Sequence, residues 1–316
     1  MSWDVLLAGD LDPAEFAPLE AFATISTTAA YGSRAALRAD IDRFDAIVVR
    51  TFRLDESLLD RADACQVIAK RGVGLDSVDI GAATRNDIIV CNTPGANARA
   101  VAEHALALLL AVRRRLRHAD QHVRSGRWDR EWFAYRELGD VPLGLFGFGD
   151  TGHAMAELAN GIGMSVLAYD PYVEELEVEF VNRVNSKAEL FDAADVVSLH
   201  APLTAETRGA VGTDELERLG PSGILINAAR GGIVVEADLV AALDDGTIDG
   251  AGIDVFAEKP PEPDAALLGS ERVVLTPHVA GNTVEANQQK TAGVIEHIRT
   301  VRAGEMPPTA VNAGEL

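Results

Sequence analysis

Leu143-Gly144-Leu145-Phe146-Gly147-Phe148-Gly149-Asp150-Thr151-Gly152 is an apolar run that breaks into glycines spaced G-x-G-x-x-G. The glycines alone are a weak signal. Their setting sharpens it, because a β-rich run precedes them and a helical pattern follows. In a strand–turn–helix of this kind the first glycine allows the tight turn. The second lets a pyrophosphate approach the backbone, and the third lets helix and strand pack closely. The leading amides of the helix then face an anion. The next β-rich run ends in Ala168-Tyr169-Asp170-Pro171, and Asp170 lies 18 residues past Gly152. An acid there accepts hydrogen bonds from the adenosine ribose and repels a 2′-phosphate. Tyr172, Val173, Glu174 and Glu175 supply no arginine to hold one. The motif therefore predicts an NAD site built on Gly147, Gly149, Asp150, Thr151, Gly152, Asp170 and Pro171, with NAD favoured over NADP.

Outward from this motif, short β-rich runs alternate with helical patterns, as they do in βαβ units around a parallel sheet. The expected strands before it are Val5–Ala8, Ala46–Val49, Val67–Ala69 and Ile88–Cys91. A helix is expected from about Ala98 to Arg117, leading into a polar arm with Trp128 and Trp132. The expected strands from Val141 onward are Leu143–Phe146, Ser165–Tyr169, Asp195–Leu199, Gly223–Asn227, Gly250–Ile253 and Val273–Leu275. Gly246 marks the stop of a helix over Glu236–Asp245. A last helix is expected near Asn282, with Asn282 and Glu285 spaced as a capping box. It has no place in a closed second unit and is expected to return to the first. The expected domains are therefore 1–98 with 283–316, and 99–282.

With 316 residues, the chain is long enough for two cores at roughly 100–200 residues each. Apolar residues make up 47%, yet no run nears the roughly 20 residues of a membrane span. The N-terminus has no basic start or cleavage signal, so no secretion signal is expected. Cys65 and Cys91 match no metal or redox spacing, which suits a reducing cytoplasm. Arg plus Lys is 28 against 49 Asp plus Glu, a net charge of −21. Lysine occurs only at 70, 187, 259 and 290. Such a charge repels nucleic acid and anionic lipid, excluding both as partners. It also strains the compact state unless salt screens it, which predicts a cytoplasm of molar salt, with a merely acidic mesophilic enzyme as the alternative. His118 and His122 have a metal-compatible i, i+4 spacing, but nothing completes a site, so no metal is expected.

Further segments carry a family resemblance. They are Arg71-Gly72-Val73-Gly74-Leu75-Asp76-Ser77-Val78-Asp79, Asn92-Thr93-Pro94-Gly95 and Val101-Ala102-Glu103-His104. After the glycine loop come Leu199-His200-Ala201-Pro202-Leu203-Thr204 and Ile226-Asn227-Ala228-Ala229-Arg230-Gly231-Gly232. Gly252-Ile253-Asp254-Val255-Phe256 and Thr276-Pro277-His278-Val279-Ala280-Gly281 complete the set. In this order, from about residue 45 to 285, they resemble the D-isomer-specific 2-hydroxyacid dehydrogenases, nearest the 3-phosphoglycerate dehydrogenase and hydroxypyruvate/glyoxylate reductase branch. The resemblance implies an α/β chain of two doubly wound parallel-sheet domains, a Rossmann NAD-binding domain and a flavodoxin-like substrate domain with the active site in the cleft. It implies a homodimer joined through the cofactor domain, with the Arg113–Asp140 arm at the contact. It adds His200, Pro202, Thr207, Ala228, Arg230, Asp254, His278 and Gly281 to the cofactor site. Asp254 would hold the nicotinamide carboxamide.

Hydride transfer to a 2-keto acid needs a cationic fork for the carboxylate, stabilisation of the carbonyl oxygen and a proton for it. Arg230 suits the first two, being always charged and bidentate. His278 suits the third, as an imidazole titrating near neutrality. In the family a glutamate stands five residues after the aspartate matching Asp254 and supports the histidine, but here that position is Lys259, before Pro260. A lysine there lowers the histidine's proton affinity. Glu258 is favoured to take the role, Glu262 is the second choice, and action without a carboxylate or loss of catalysis stays open. Arg50, Thr51, Val73 and Gly74 are expected substrate contacts, with Arg53, Asn97 and Arg99 as weaker ones. The rival reading is a non-catalytic NAD-sensing protein of the corepressor kind, which has no need of Arg230 or His278. From the length no regulatory domain after the core is expected, and the acyl group of the substrate is not readable.

Overall fold

Runs of Val, Ile, Leu and Ala, buried on both faces in the central strands, build two all-parallel sheets in the computed structural model, which describes residues 2–173, 175, 178–262 and 265–316. Glu174 and Pro263 lie outside the described residues, as does the side chain of Trp132. The first sheet contains β1 (Trp3–Ala8), β2 (Ala23–Thr27), β3 (Ala46–Val49), β4 (Val67–Lys70) and β5 (Ile89–Cys91). Its order is β2-β1-β3-β4-β5, the flavodoxin arrangement. The second contains β6 (Pro142–Phe146), β7 (Ser165–Tyr169), β8 (Val181–Arg183), β9 (Val196–Leu199), β10 (Ile224–Asn227), β11 (Gly250–Ile253) and β12 (Val273–Leu275). Its order is β12-β11-β10-β9-β6-β7-β8, a Rossmann sheet extended by one strand.

The chain divides into one unit of residues 1–97 and 283–316 and another of residues 98–282. The last helix, Val284–Arg302, belongs to the first unit. Val294, Ile295, Ile298 and Val301 on it join a core cluster with Val5, Leu7, Phe16 and Val48. Val294 and Ile298 are fully buried, and each contributes about 1.5–3 kcal/mol.

Two helix predictions need correction. Thr283, not Asn282, caps the last helix: it is extended and its hydroxyl accepts the Ala286 amide at 3.1 Å. Glu285 then sits in the first turn, where its charge favours the helix dipole. The helix predicted to reach Arg117 ends at Arg113, with Arg115 left-handed at φ +44° and a second helix over Leu116–Arg124. Ala98–Arg113 lies on the second sheet, where a Cβ on Gly252 would stand 2.8 Å from Leu108. Arg113 is still buried, whereas Arg114, Arg115, Leu116 and Arg117 are exposed, and the chain turns there.

β2 and β8 escaped the sequence reading. Both are edge strands with partly exposed residues, so neither shows a continuous apolar run. Gly246 does end the helix Glu236–Asp244, at φ +72°. Among the described residues no helix is long and apolar enough to cross a membrane.

Candidate active site

One register row crosses the second sheet: Tyr169, Phe146, Leu199, Asn227, Ile253 and Leu275 are successive Cα partners. The residue after each is Asp170, Gly147, His200, Ala228, Asp254 and Thr276 in turn. Every motif of this unit thus leaves its strand at one level, at the carboxyl ends where open α/β sheets hold ligands. Arg230 and His278 each stand three residues past the row, on β10 and β12. Those strands are two spacings apart, or about 10 Å.

The glycine loop fits a dinucleotide. Gly147 has φ +97°, and a Cβ on it would stand 2.7 Å from the Ala201 amide nitrogen. A Cβ on Gly152 would meet the Gly147 carbonyl at 2.5 Å, so this glycine seats the helix Asp150–Gly161 on β6. A Cβ on Gly149 would meet nothing within 4 Å. The loop is packed where protein touches protein and open at the middle glycine, beside the first helical turn with its unsatisfied amides. Asp170 accepts the Phe148 amide and the Tyr172 amide, both at 2.9 Å. It therefore also braces the glycine loop.

Other expected cofactor residues take the following places. Ala228 is buried, Pro171 and Pro202 are exposed, and Gly281 is half-buried. Thr207 braces the loop after β9, donating to the Pro202 carbonyl and accepting the Thr204 amide at 2.8 Å. His200 Nε2 lies 2.9 Å from Ser198 Oγ, and its Nδ1 is shut away from water without a hydrogen-bond partner. Burial pushes this imidazole down to about 4, so it is neutral at pH 7.

Asp254 is fully buried. Its Oδ1 accepts the Thr276 hydroxyl at 2.6 Å and the Val279 amide at 2.9 Å, and its Oδ2 accepts the Ala280 amide at 2.9 Å. The His278 amide donates to the Asp254 carbonyl at 2.9 Å and to Thr276 O at 3.1 Å. His278 is exposed and left-handed at φ +57°, a conformation that costs a non-glycine residue about 1–3 kcal/mol and persists only when surroundings enforce it. Asp254 is that enforcement. The Arg230 turn is stapled by Asn227, which accepts the Ala229 amide at 3.1 Å and donates to the Arg230 carbonyl at 3.0 Å. A Cβ on Gly231 would overlap the Phe256 carbonyl carbon at 2.0 Å, so the loop after β11 runs against the Arg230 turn.

That loop carries Glu258, Lys259 and Glu262, all exposed. The Ala257 amide donates to Glu236 at 2.6 Å, which anchors the loop just before Glu258.

In the first unit, Arg50 follows β3, and Lys70, in register with Val49, ends β4. Lys70 Nζ donates to the Arg50 carbonyl and to Ser77 Oγ at 2.8 Å. Arg71 Nε donates to Thr291 at 2.9 Å, and Arg71 pairs with Glu15. Lys290 is buried, and burial together with Arg71 and Arg50 pushes its amine down to about 8. Thr51 is exposed, Gly74 is half-buried and Val73 is exposed. The Val73 carbonyl accepts from Asn92 at 2.8 Å, which steadies the glycine turn.

The sequence reading gave no role to Asn227, Thr276, His104, Lys70, Arg71 or Lys290. His104 and Thr276 lie in the segments Val101–His104 and Thr276–Gly281, and Lys290 is one of four lysines in the chain, so weak signals existed. His118 and His122 face different carboxylates, Glu271 at 3.8 Å and Asp129 at 3.2 Å. Among the described residues no group of three or more His, Cys, Asp or Glu stands together as a metal site.

Residues 106–280 match the NAD-binding domain family of D-isomer specific 2-hydroxyacid dehydrogenases. The chain is 38% identical over 282 residues to D-3-phosphoglycerate dehydrogenase of Archaeoglobus fulgidus, covering 89% of this chain and 54% of that protein. It thus spans about half the length of such relatives. It is 39% identical over 278 residues to glyoxylate reductase of Korarchaeum cryptofilum, covering 85% of this chain and 82% of that one. Among solved structures, the TT0316 protein of Thermus thermophilus superposes with a TM-score of 0.88 at 32% identity, covering 98% of this chain and 99% of that one. An NADPH-dependent glyoxylate/hydroxypyruvate reductase of Sinorhizobium meliloti, in complex with citrate, gives 0.87 at 33%, covering 98% and 97%.

Proposed function

The chain belongs to the D-isomer-specific 2-hydroxyacid dehydrogenase family, and from that premise we propose that it is an NAD-dependent oxidoreductase interconverting a small D-2-hydroxy acid and its 2-keto acid. The observation that carries this is the placement of Arg230 and His278 past the same register row as the glycine loop. A nicotinamide bound at that loop supplies or accepts the hydride. Arg230 grips the substrate carboxylate and stabilises the negative charge that gathers on the carbonyl oxygen during reduction. His278 gives that oxygen its proton in reduction and takes it back in oxidation. Asp254 holds the turn, and we keep the nicotinamide carboxamide as a further partner for it.

Asp170 supports NAD over NADP, although the Sinorhizobium relative uses NADPH. No arginine is among residues 171–175 to neutralise a 2′-phosphate. Glu258 is our first choice of carboxylate for His278 and Glu262 our second. A protein of charge −21 repels anionic substrates at long range, so local cations must overcome the field. Arg50 and Thr51, with the amides of Val73 and Gly74, are the first unit's candidates for an anionic substrate group. The buried Arg71 and Lys290 next to them favour an acid with a second charge. Leu116, Val123 and Trp128 are exposed on the arm after the long helix, which supports a homodimer through the cofactor unit.

The deciding assay follows NADH oxidation in high salt with glyoxylate, pyruvate, hydroxypyruvate and phosphohydroxypyruvate. Turnover that vanishes in His278→Asn and Arg230→Met supports the enzyme. Tight NADH binding without turnover on any acid supports the NAD-sensing reading, which Lys259 favours.

A further inference from the structure

His104 sits on the helix Ala98–Arg113 with its Nε2 2.9 Å from Thr276 Oγ1 and 3.6 Å from Asp254 Oδ1. The Thr276 hydroxyl has one proton and donates it to the Asp254 carboxylate at 2.6 Å, since a carboxylate cannot donate. The hydroxyl oxygen must therefore accept from His104, which fixes the proton of that imidazole on Nε2. Asp254 in turn receives the Val279 and Ala280 amides, and its carbonyl receives the His278 amide. A continuous chain of hydrogen bonds runs from His104 through Thr276 and Asp254 into the left-handed turn of His278.

We propose that His104 is a positioning residue, anchoring through Thr276 and Asp254 the turn that presents His278 to the substrate oxygen. This rests on the reading of His278 as the proton carrier. The physical reason is the strained turn. Asp254 can impose φ +57° on His278 only if its own carboxylate is fixed. Val279 and Ala280 bind it from the turn itself, so they move with it. Thr276, which leads β12 into the turn, is tied by His104 to a separate helix. That helix is packed on β10, β11 and β12, and it supplies the outside reference.

The test is steady-state kinetics of His104→Leu, Thr276→Val and His104→Gln, with NADH affinity by fluorescence and Tm for each. Misplacement of a reacting group by a fraction of an ångström predicts a kcat loss of about tenfold in His104→Leu and in Thr276→Val. NADH affinity and KM should stay within about twofold. The double variant should lose no more than either single one, because both cut the same chain. His104→Gln, which restores an N–H donor at the Nε2 position, should recover most of kcat. Nitrogen NMR of the His104 imidazole gives a readout that needs no variant: a proton on Nε2 is expected, and one on Nδ1 overturns the chain. Wild-type kcat in His104→Leu overturns it too. If His278→Asn also turns over normally, the failure lies with the functional reading rather than with His104.

Discussion

The His278 amide donates to the Asp254 carbonyl at 2.9 Å, while the next two amides, of Val279 and Ala280, donate to the Asp254 carboxylate. One buried aspartate thus holds three consecutive residues of the turn. Asp254→Asn keeps the shape but offers one acceptor oxygen, and its NH2 must face a donor. Hydrogen bonds to a charged group are worth about 1.5–3 kcal/mol. Urea unfolding should show a loss of about that size, and kcat should fall with it. Unchanged stability would mean that the carboxylate does not bear on the turn.

The three glycines of the loop should separate under substitution by alanine. At Gly147 and Gly152 a Cβ meets backbone at 2.7 and 2.5 Å, so both variants should lose Tm as well as NADH binding. At Gly149 a Cβ meets no protein atom. Gly149→Ala should keep the Tm and still weaken NADH binding by about tenfold or more, because the methyl occupies the approach of the pyrophosphate. Equal NADH affinity in Gly149→Ala and wild type would place the phosphates elsewhere.

Lys290 should matter more for a doubly charged acid than for glyoxylate. Losing one hydrogen bond to a charged group costs about 1.5–3 kcal/mol, or roughly ten- to a hundredfold in kcat/KM. Lys290→Gln should lower kcat/KM for phosphohydroxypyruvate by that factor relative to glyoxylate. The amine sits near 8, so the wild-type preference should fade as pH rises past 8, where the charge is lost. A ratio unaffected by the substitution would remove Lys290 from recognition.

The cofactor half of the site was legible because it is local: one strand, three glycines and one acid fall within 24 residues of sequence, from Gly147 to Asp170. β3, β9 and β10 were legible because strands buried on both faces read as apolar runs. The network around His278 was not. His104 and Thr276 are 172 residues apart, and nothing in either motif says that an imidazole meets a hydroxyl. The end of the long helix was missed because helix propensity does not record where the sheet beneath stops. The capping error at 282 and 283 arose because Asn and Thr are both good caps, and only the extended backbone of Thr283 chooses between them.

Acid stability should carry the mark of His200. The unfolded imidazole titrates near 6.5, and the buried one near 4. Between these values the unfolded chain binds the proton and the folded one does not, so stability falls as pH drops from about 6.5 to 4 and is level above that window. His297, also pushed down by burial, adds the same sign. Denaturant unfolding of His200→Asn at several pH values should show a shallower fall. A slope equal to wild type would place water or a proton partner at the ring.

Charge sets the last prediction. A net −21 is held together in a compact chain against its own repulsion. The screening length is about 10 Å at 0.1 M salt and about 3 Å at 1 M, so most simple screening is complete well below 2 M. Each kcal/mol recovered raises the Tm of a chain this size by roughly 2–4 °C. We expect the Tm to climb by about 5 °C or more from 0.1 to 2 M KCl. KCl is the right salt, because sulfate strengthens apolar burial regardless of charge. A rise complete by about 0.5 M would be plain screening, whereas a rise continuing to 2 M would mark adaptation to molar salt. Equal melting at both concentrations would leave the acidity without a bearing on folding.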